Sequence, residues 1–431
     1  MAMKLPVRQH WNAWLLVGYV ALAMVPGMRA APIDDGSQWT RFHGPNGSGV
    51  ATGDQLPVDW QDSDYAWQIN LPGTGAGSPV VWNTRLFITS CDSAAEKWML
   101  QCIDTGTGET LWQKDYPVRP YRMHTRNSLA SSTPALDANH VYVSYADAET
   151  TILRALTHDG APVWTRDFGP CISEHGFGMS PIVYRDKVIF FHSQTAQRLP
   201  AGTKPGQSRM IAVNAADGSD AWTVPLKTTR TCYSLPCIWN SDHGTESIIG
   251  CNTGNGFFSI NPESGRLNWE CQAFAQRTVA SVLHVDGLLI GSCGSGGGGN
   301  TLVAMRPDPS DALKVPEPVY TLQRSNYVPS PVSVNGLLFL FTDKGLGTCV
   351  DLQTGEQKWQ QRLSSGFSGS PVATMKAIYV ADEEGKLLVI SPSSEYQLLS
   401  KHFLGQSTFA TPAISDNQIF FRTSSRLYCL R

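Results

Sequence analysis

The sequence predicts an all-β protein: an eight-bladed β-propeller of four-stranded antiparallel blades, its ring closed by pairing of the N- and C-terminal segments. The first reason is a repeat. A small residue followed by proline opens a short apolar strand at Ser78-Pro79, Thr133-Pro134, Ser180-Pro181, Ser330-Pro331, Ser370-Pro371 and Thr411-Pro412. Variants of it stand at Leu235-Pro236 and Ser281-Val282. The second residues of these pairs are 55, 47, 55, 46, 49, 40 and 41 positions apart, a period that belongs to propellers and strand arrays. The second reason is composition. Only 16% of the 431 residues are charged, against about 25% in ordinary soluble proteins. Glycine and aromatic residues are abundant, which suits short strands joined by tight turns.

Residues Ser330 to Leu363 show the unit in full. Val332 to Val334 reads as the inner strand, and Asn335-Gly336 is a strong hairpin turn. Leu337 to Thr342 makes the second strand, Gly347 to Leu352 the third, and Gln357 to Leu363 an outer strand carrying Trp359. The last turn and its tryptophan recur at Asp104 to Trp112, His158 to Trp164, Asp217 to Trp222 and Glu263 to Trp269. Glycine supplies the positive φ of these turns. Each tryptophan is expected to fill the gap where neighbouring blades splay apart.

The final repeat ends at Leu427 to Leu430 with its outer strand missing, whereas Ala66 to Leu71 precedes the first repeat with an outer-strand pattern. Pairing the two completes the last blade and removes two open sheet edges. The chain therefore divides into a leader (1–31), an N-terminal extension (32–65) and a propeller (66–431). The leader places Lys4 and Arg8 before an apolar run from Ala13 to Val25, then Pro26-Gly27 and small residues at Ala30-Ala31. That is the pattern of a cleaved export signal, too short to leave a stable membrane span. Cleavage after Ala30 would remove Lys4, Arg8 and Arg29 and leave 30 basic residues against 36 acidic ones. An acidic chain without a DNA- or RNA-binding motif does not point to nucleic acid as its partner. The expected location is exported, periplasmic or secreted. Disulfides are permitted there, and Cys91–Cys102, beside one predicted hairpin, is the candidate pair among ten cysteines.

The unit of Ser-Pro, strand, Asn-Gly turn, strand and Asp-x-x-Thr-Gly-x-x-x-Trp resembles the PQQ-like repeat of exported bacterial, quinoprotein-type propellers. Eight-bladed quinoprotein dehydrogenases use it, as does the propeller lipoprotein of the outer-membrane β-barrel assembly machinery. The stretch Trp39-Thr40-Arg41-Phe42-His43-Gly44-Pro45-Asn46-Gly47-Ser48-Gly49 looks like the opening segment of an exported group in that family. The resemblance covers about residues 39 to 431 and implies the fold, while fold alone does not specify chemistry. Two departures stand out. The chain has no adjacent cysteine pair of the kind quinoprotein dehydrogenases carry, and no cysteine near the leader's end to bear a lipid.

In a propeller, the loops leading into the inner strands gather at one mouth of the central channel. Here they hold Arg122, His124 and Arg126 before the second repeat and His175 before the third. Arg230 and Tyr233 precede the fourth, Arg277 the fifth, and Arg324 and Tyr327 the sixth. Converging guanidiniums recognise carboxylates, phosphates or sulfates through paired hydrogen bonds, so these nine residues make a candidate anion-binding funnel. The bland alternative is that the arginines cap blade ends or face water. Arg126, Arg230, Arg277 and Arg324 are all expected outside the blade cores. His124, His175 and Glu174 make a weak metal pattern. Gly294 to Asn300 lacks the Gly-Lys-Ser/Thr of a phosphate loop, and the polar insertion Gln194 to Ser208 is a solvated loop, a lid or a partner contact.

The expected function is therefore a binding or scaffold propeller that takes a protein partner or a small anionic ligand, with no cofactor assigned. The alternative is a quinone-dependent oxidoreductase holding PQQ and Ca²⁺ in the channel. A carbohydrate-active enzyme ranks behind both, because no hydrolase signature is present.

Overall fold

The computed structural model describes residues 1–2, 38–53, 55–199 and 202–431. The leader from residue 3 on and the first residues of the extension, to residue 37, lie outside the described residues. Eight antiparallel sheets follow one another along the chain, seven with four strands and the first with five. The sixth blade consists of Val332–Val334, Leu337–Phe341, Leu346–Asp351 and Gln357–Arg362, within a residue or so of the sequence reading. Tyr65–Asn70 pairs antiparallel with Arg426–Leu430 and closes the eighth blade. Second and third strands are buried along most of their length, as in Lys187–His192 and Gly256–Ile260. Neighbouring blades cover both of their faces, so they read as short continuous apolar runs. Outer strands alternate, as in Thr110–Pro117.

The small residue that opens each repeat has a specific task. The main-chain N–H of Ser78 donates to Thr133 Oγ1 at 3.0 Å, and Thr133 N–H donates to Ser180 Oγ at 2.9 Å. The belt resumes from Leu235 to Ser281, Ser281 to Ser330, Ser330 to Ser370 and Ser370 to Thr411. Thr411 then donates to Ser78 Oγ. Each hydroxyl thus satisfies a buried N–H of the preceding blade, and the belt is interrupted only at Leu235, which has no hydroxyl to offer Ser180.

The outer-strand tryptophans also tie blade to blade. Trp67, Trp112, Trp164 and Trp222 donate their indole N–H to carbonyls of Thr105, His158, Ala215 and Pro262 in the next blade. Each ring lies over the glycine of that blade's last turn. A Cβ on Gly108, which has φ +76°, would fall 2.7 Å from the Trp67 ring. Tyr320 takes this place in the fifth blade, with its hydroxyl on Leu352 O. In the seventh blade the register position of Trp359 is held by Ser400. The extension makes good the loss: Trp60 is buried and stacks on His402 with ring centroids 3.6 Å apart. Pro57 O accepts from the Tyr379 hydroxyl, and Val58 O from Ser400.

The rest of the described extension threads the channel. Gln38–Trp39 adds a strand to the inner edge of blade 1, opposite Val81 and Trp82. Thr40 O then accepts from Leu136 N–H of blade 2, and Arg41 donates to Pro236 O of blade 4. Asn46 makes two 2.8 Å bonds with the Ile238 main chain, and Gly49 and Ala51 pair with Ala373 of blade 7. A tight turn at Gly44 allows this path. It has φ +69°, and a Cβ there would sit 2.6 Å from the Trp39 ring. The contacts fall at the far ends of the inner strands, so the channel is stoppered opposite the predicted mouth.

All ten cysteines are free thiols, which corrects the Cys91–Cys102 pairing. In their hairpin Cys91 lies opposite Trp98, and Cys102 opposite Phe87. That register puts the two sulfurs roughly 13 Å apart along the strands, far beyond disulfide reach.

Candidate functional site

The stoppered channel is a blind cavity of about 420 Å³. Phe42 of the threaded segment contributes to its lining, belt residues such as Ser78, Ser281 and Thr411 form its wall, and the loops entering the inner strands make its rim. Leu235, Val279 and Phe409 add apolar surface between them.

Of the nine residues proposed from sequence, His124, Arg126, His175, Arg230, Tyr233, Arg277 and Tyr327 line this cavity. Arg122 and Arg324 are exposed and do not. The cavity-lining arginines differ in exposure: Arg126 is exposed and Arg230 half-buried. Arg277 is only 2% exposed, a correction to its expected place outside the blade core. Its Nε donates to Thr231 O at 2.8 Å and its Nη2 to Glu174 Oε2 at 2.9 Å. Burial works against its charge, but Tyr327, Tyr233 and Glu174 outweigh that and leave its pKa above the ordinary arginine value. Arg230 Nη2 reaches the same Glu174 oxygen at 2.8 Å. Burial likewise opposes the Glu174 charge, and the two arginines overcome it and hold the carboxyl below its usual range.

Arg126 pairs elsewhere. It stands on the loop from blade 1 into blade 2, yet its guanidinium lies 3.1 Å from Glu383 Oε2 in blade 7. Blades 8 and 1 lie between those two, so the ion pair crosses the mouth as a chord. Asn127 anchors the same loop on its other side by donating to the carbonyls of His175 and Phe177. The His124 and His175 rings stack with centroids 5.1 Å apart. Tyr233 is held by its hydroxyl on Gly176 O, and so serves to brace the third loop.

Sequence reasoning passed over three participants. From sequence Glu174 reads only as part of a weak metal pattern, and Glu383 is not among the candidates. Asp343, in the turn after the second strand of blade 6, lines the cavity, is 6% exposed and has no partner for Oδ1. Burial pushes its carboxyl above the ordinary range. Both Asp343 and Glu383 follow an apolar second strand within an Asp/Glu-x-Gly turn, as Asp343-Lys344-Gly345 and Glu383-Glu384-Gly385. These turns share the face of the mouth loops, which was the available signal.

Eight blades, a hydroxyl belt and a channel stoppered at one end define a propeller of the quinoprotein-repeat class. The chain belongs to the family of the outer membrane protein assembly factor BamB, whose model matches residues 50–234, 96–290 and 321–431. BamB of Yersinia pestis is 21% identical over 336 residues, covering 77% of this chain and 68% of that protein. Among solved structures, BamB from Moraxella catarrhalis superposes with a TM-score of 0.59 at 13% identity, covering 85% of this chain and 97% of that one. A europium-containing methanol dehydrogenase gives 0.65 at 11% identity, with 92% and 98% covered. These superpositions show the shared fold. Among the described residues no helix is long and apolar enough to cross a membrane.

The quinone alternative asks for oxygen donors to a cation in the channel. Among the described residues no group of three or more His, Cys, Asp or Glu is placed to hold a metal ion, and Asp343 is the carboxylate lining the cavity.

Proposed function

We propose that this chain is a periplasmic binding propeller that docks a protein partner during outer-membrane protein assembly, using the rim of its blind channel. The observation that carries this reading is the rim itself. Loops from separate blades are cross-braced by Arg126–Glu383 and by the shared Glu174, which makes a charged, braced rim around a closed-bottom cavity. Preorganised surfaces bind at lower entropic cost. The family's assembly-factor relatives support the choice of partner class. The test is genetic and quantitative. A strain lacking the native copy is complemented with the wild type, with Arg126→Ala/Arg230→Ala, or with the outer-edge control Arg362→Ala. Folded outer-membrane proteins are then measured. The rim double variant should behave as the deletion and the control as wild type. Normal levels in the deletion strain would overturn the role.

A second reading, a small anionic ligand in the cavity, is favoured by Arg230, whose buried Nε lacks a partner.

A further inference from the structure

The charges at the mouth fall into two unlike sectors. On blades 3 to 5, two arginines, Arg230 and Arg277, share one carboxylate, Glu174. On blades 6 and 7 the stoichiometry is reversed: two carboxylates, Asp343 and Glu383, face one arginine, Arg126. Each sector keeps one unit of charge uncompensated, positive in the first and negative in the second. Lys344 is the other cation near Asp343, but it is exposed and does not line the cavity.

The orphaned polar atoms repeat this division. Among cavity-lining side chains, the buried atoms without a hydrogen-bond partner are His175 Nδ1, Arg230 Nε and Asp343 Oδ1. Arg230 is a donor in the positive sector, and Asp343 is an acceptor in the negative one. A buried polar atom left unpaired costs about 1–3 kcal/mol, so a ligand that supplied partners to these three would recover part of that cost. Of the two charged groups, an anion would answer only Arg230 and a cation only Asp343; His175 Nδ1, donor or acceptor according to its tautomer, suits either.

We propose that the cavity binds a small zwitterion, a ligand with one carboxylate and one ammonium group, the carboxylate at Arg230 and Arg277 and the ammonium at Asp343. The proposal rests on the small-ligand reading of the site and narrows it from an anion to the class of free amino acids and short unblocked peptides. Leu235, Val279 and Phe409 offer apolar surface to the body of such a ligand. Arg126 and Glu383 stay paired and set the opening. Both halves of the ligand are needed, because a lone carboxylate would leave Asp343 buried without a counter-charge.

The experiment is titration calorimetry of the full exported chain with four probes: tri-alanine, N-acetyl-tri-alanine, tri-alanine amide and the doubly blocked peptide. Tri-alanine should bind, and blocking either end should weaken binding by about tenfold or more, equivalent to about 1.4 kcal/mol. Asp343→Asn, which keeps the side chain's shape, should erase the difference between tri-alanine and its acetylated form. Two results would overturn the proposal. If the acetylated anion binds as tightly as the free peptide, the zwitterion fails while the anionic-ligand reading stands. If none of the four binds at millimolar concentration, both fall, and the partner-docking role is left to its own genetic test.

Discussion

Thr411 donates its main-chain N–H to Ser78 Oγ across 3.0 Å, joining residues 333 positions apart in sequence. It is the bond at which the hydroxyl belt returns to its starting point. Ser78→Ala would leave the Thr411 N–H buried and unpaired, at a cost of about 1–3 kcal/mol. Urea unfolding should show a lowered midpoint with the slope unchanged. An unaltered midpoint would mean the belt contributes nothing to closure.

Trp60 substitutes for a tryptophan that blade 7 lacks. Trp60→Ala removes a buried ring stacked on His402 and should cost about 3–5 kcal/mol, a large effect for a residue outside the blades. Thermal melting checks it. A loss no greater than that of an exposed control such as Leu111→Ala would show that the extension merely rests on the ring.

His43 sets an acid limit on the channel stopper. Its ring nitrogens lie 3.0 Å from Gly47 O and 2.8 Å from Pro371 O. Burial nevertheless outweighs those carbonyls and brings the imidazole down to about 4. His192 is likewise brought down to about 4, chiefly by burial and then by Arg209. Both groups bind protons more readily unfolded, near pH 6.5. Their stabilisation is present above that pH and is lost as pH falls toward 4, by roughly 3 kcal/mol for each fully shifted group. Denaturation midpoints followed from pH 7 to pH 4 should fall through this window. His43→Asn should flatten the fall, and an equally steep fall would remove His43 from the explanation.

Asp343 acts in the opposite sense. Because burial raises its folded pKa, the folded state holds this proton more tightly, and stability declines as pH rises above the unfolded value near 3.9. Asp343→Asn should therefore raise the melting temperature at neutral pH, with the gain vanishing below about pH 4. A destabilised variant at pH 7 would show that the carboxylate is compensated in a way the geometry does not reveal.

The Arg126–Glu383 pair tethers the loop that runs from Val118 to Thr133. Glu383→Ala should release that loop and speed tryptic cleavage after Arg122 and Arg126, both exposed, while the rest of the ring resists digestion. Unchanged cleavage rates would assign the tether to Asn127 alone.

Blade count, strand order and ring closure could be read from sequence because proline, glycine turns and tryptophan mark fixed places in every repeat. The reason for the small residue before proline could not. Ser, Thr and Leu are alike as small or buried residues, and only the hydrogen bond to the preceding blade separates them. The site was half legible for a similar reason. Loop position brought Arg126, Arg230 and Arg277 together, but their partners Glu174 and Glu383 come from blades far apart in sequence, and nothing local marks such pairs. Arg122 and Arg324 share the loops yet not the cavity, because neighbouring residues on an irregular loop leave it in different directions.

The threaded extension also imposes an order of events. His43 finds its acceptor on Pro371, 328 residues downstream, and Gly49 and Ala51 seat on Ala373. Gln38–Trp39 can pair with blade 1 as soon as that blade forms, but the end of the segment is among the last parts to dock. His43, Gly49 and Ala51 have to wait until the seventh blade exists. Until then the nascent ring is an open tube, and it becomes a cup only when its own beginning returns to close the floor.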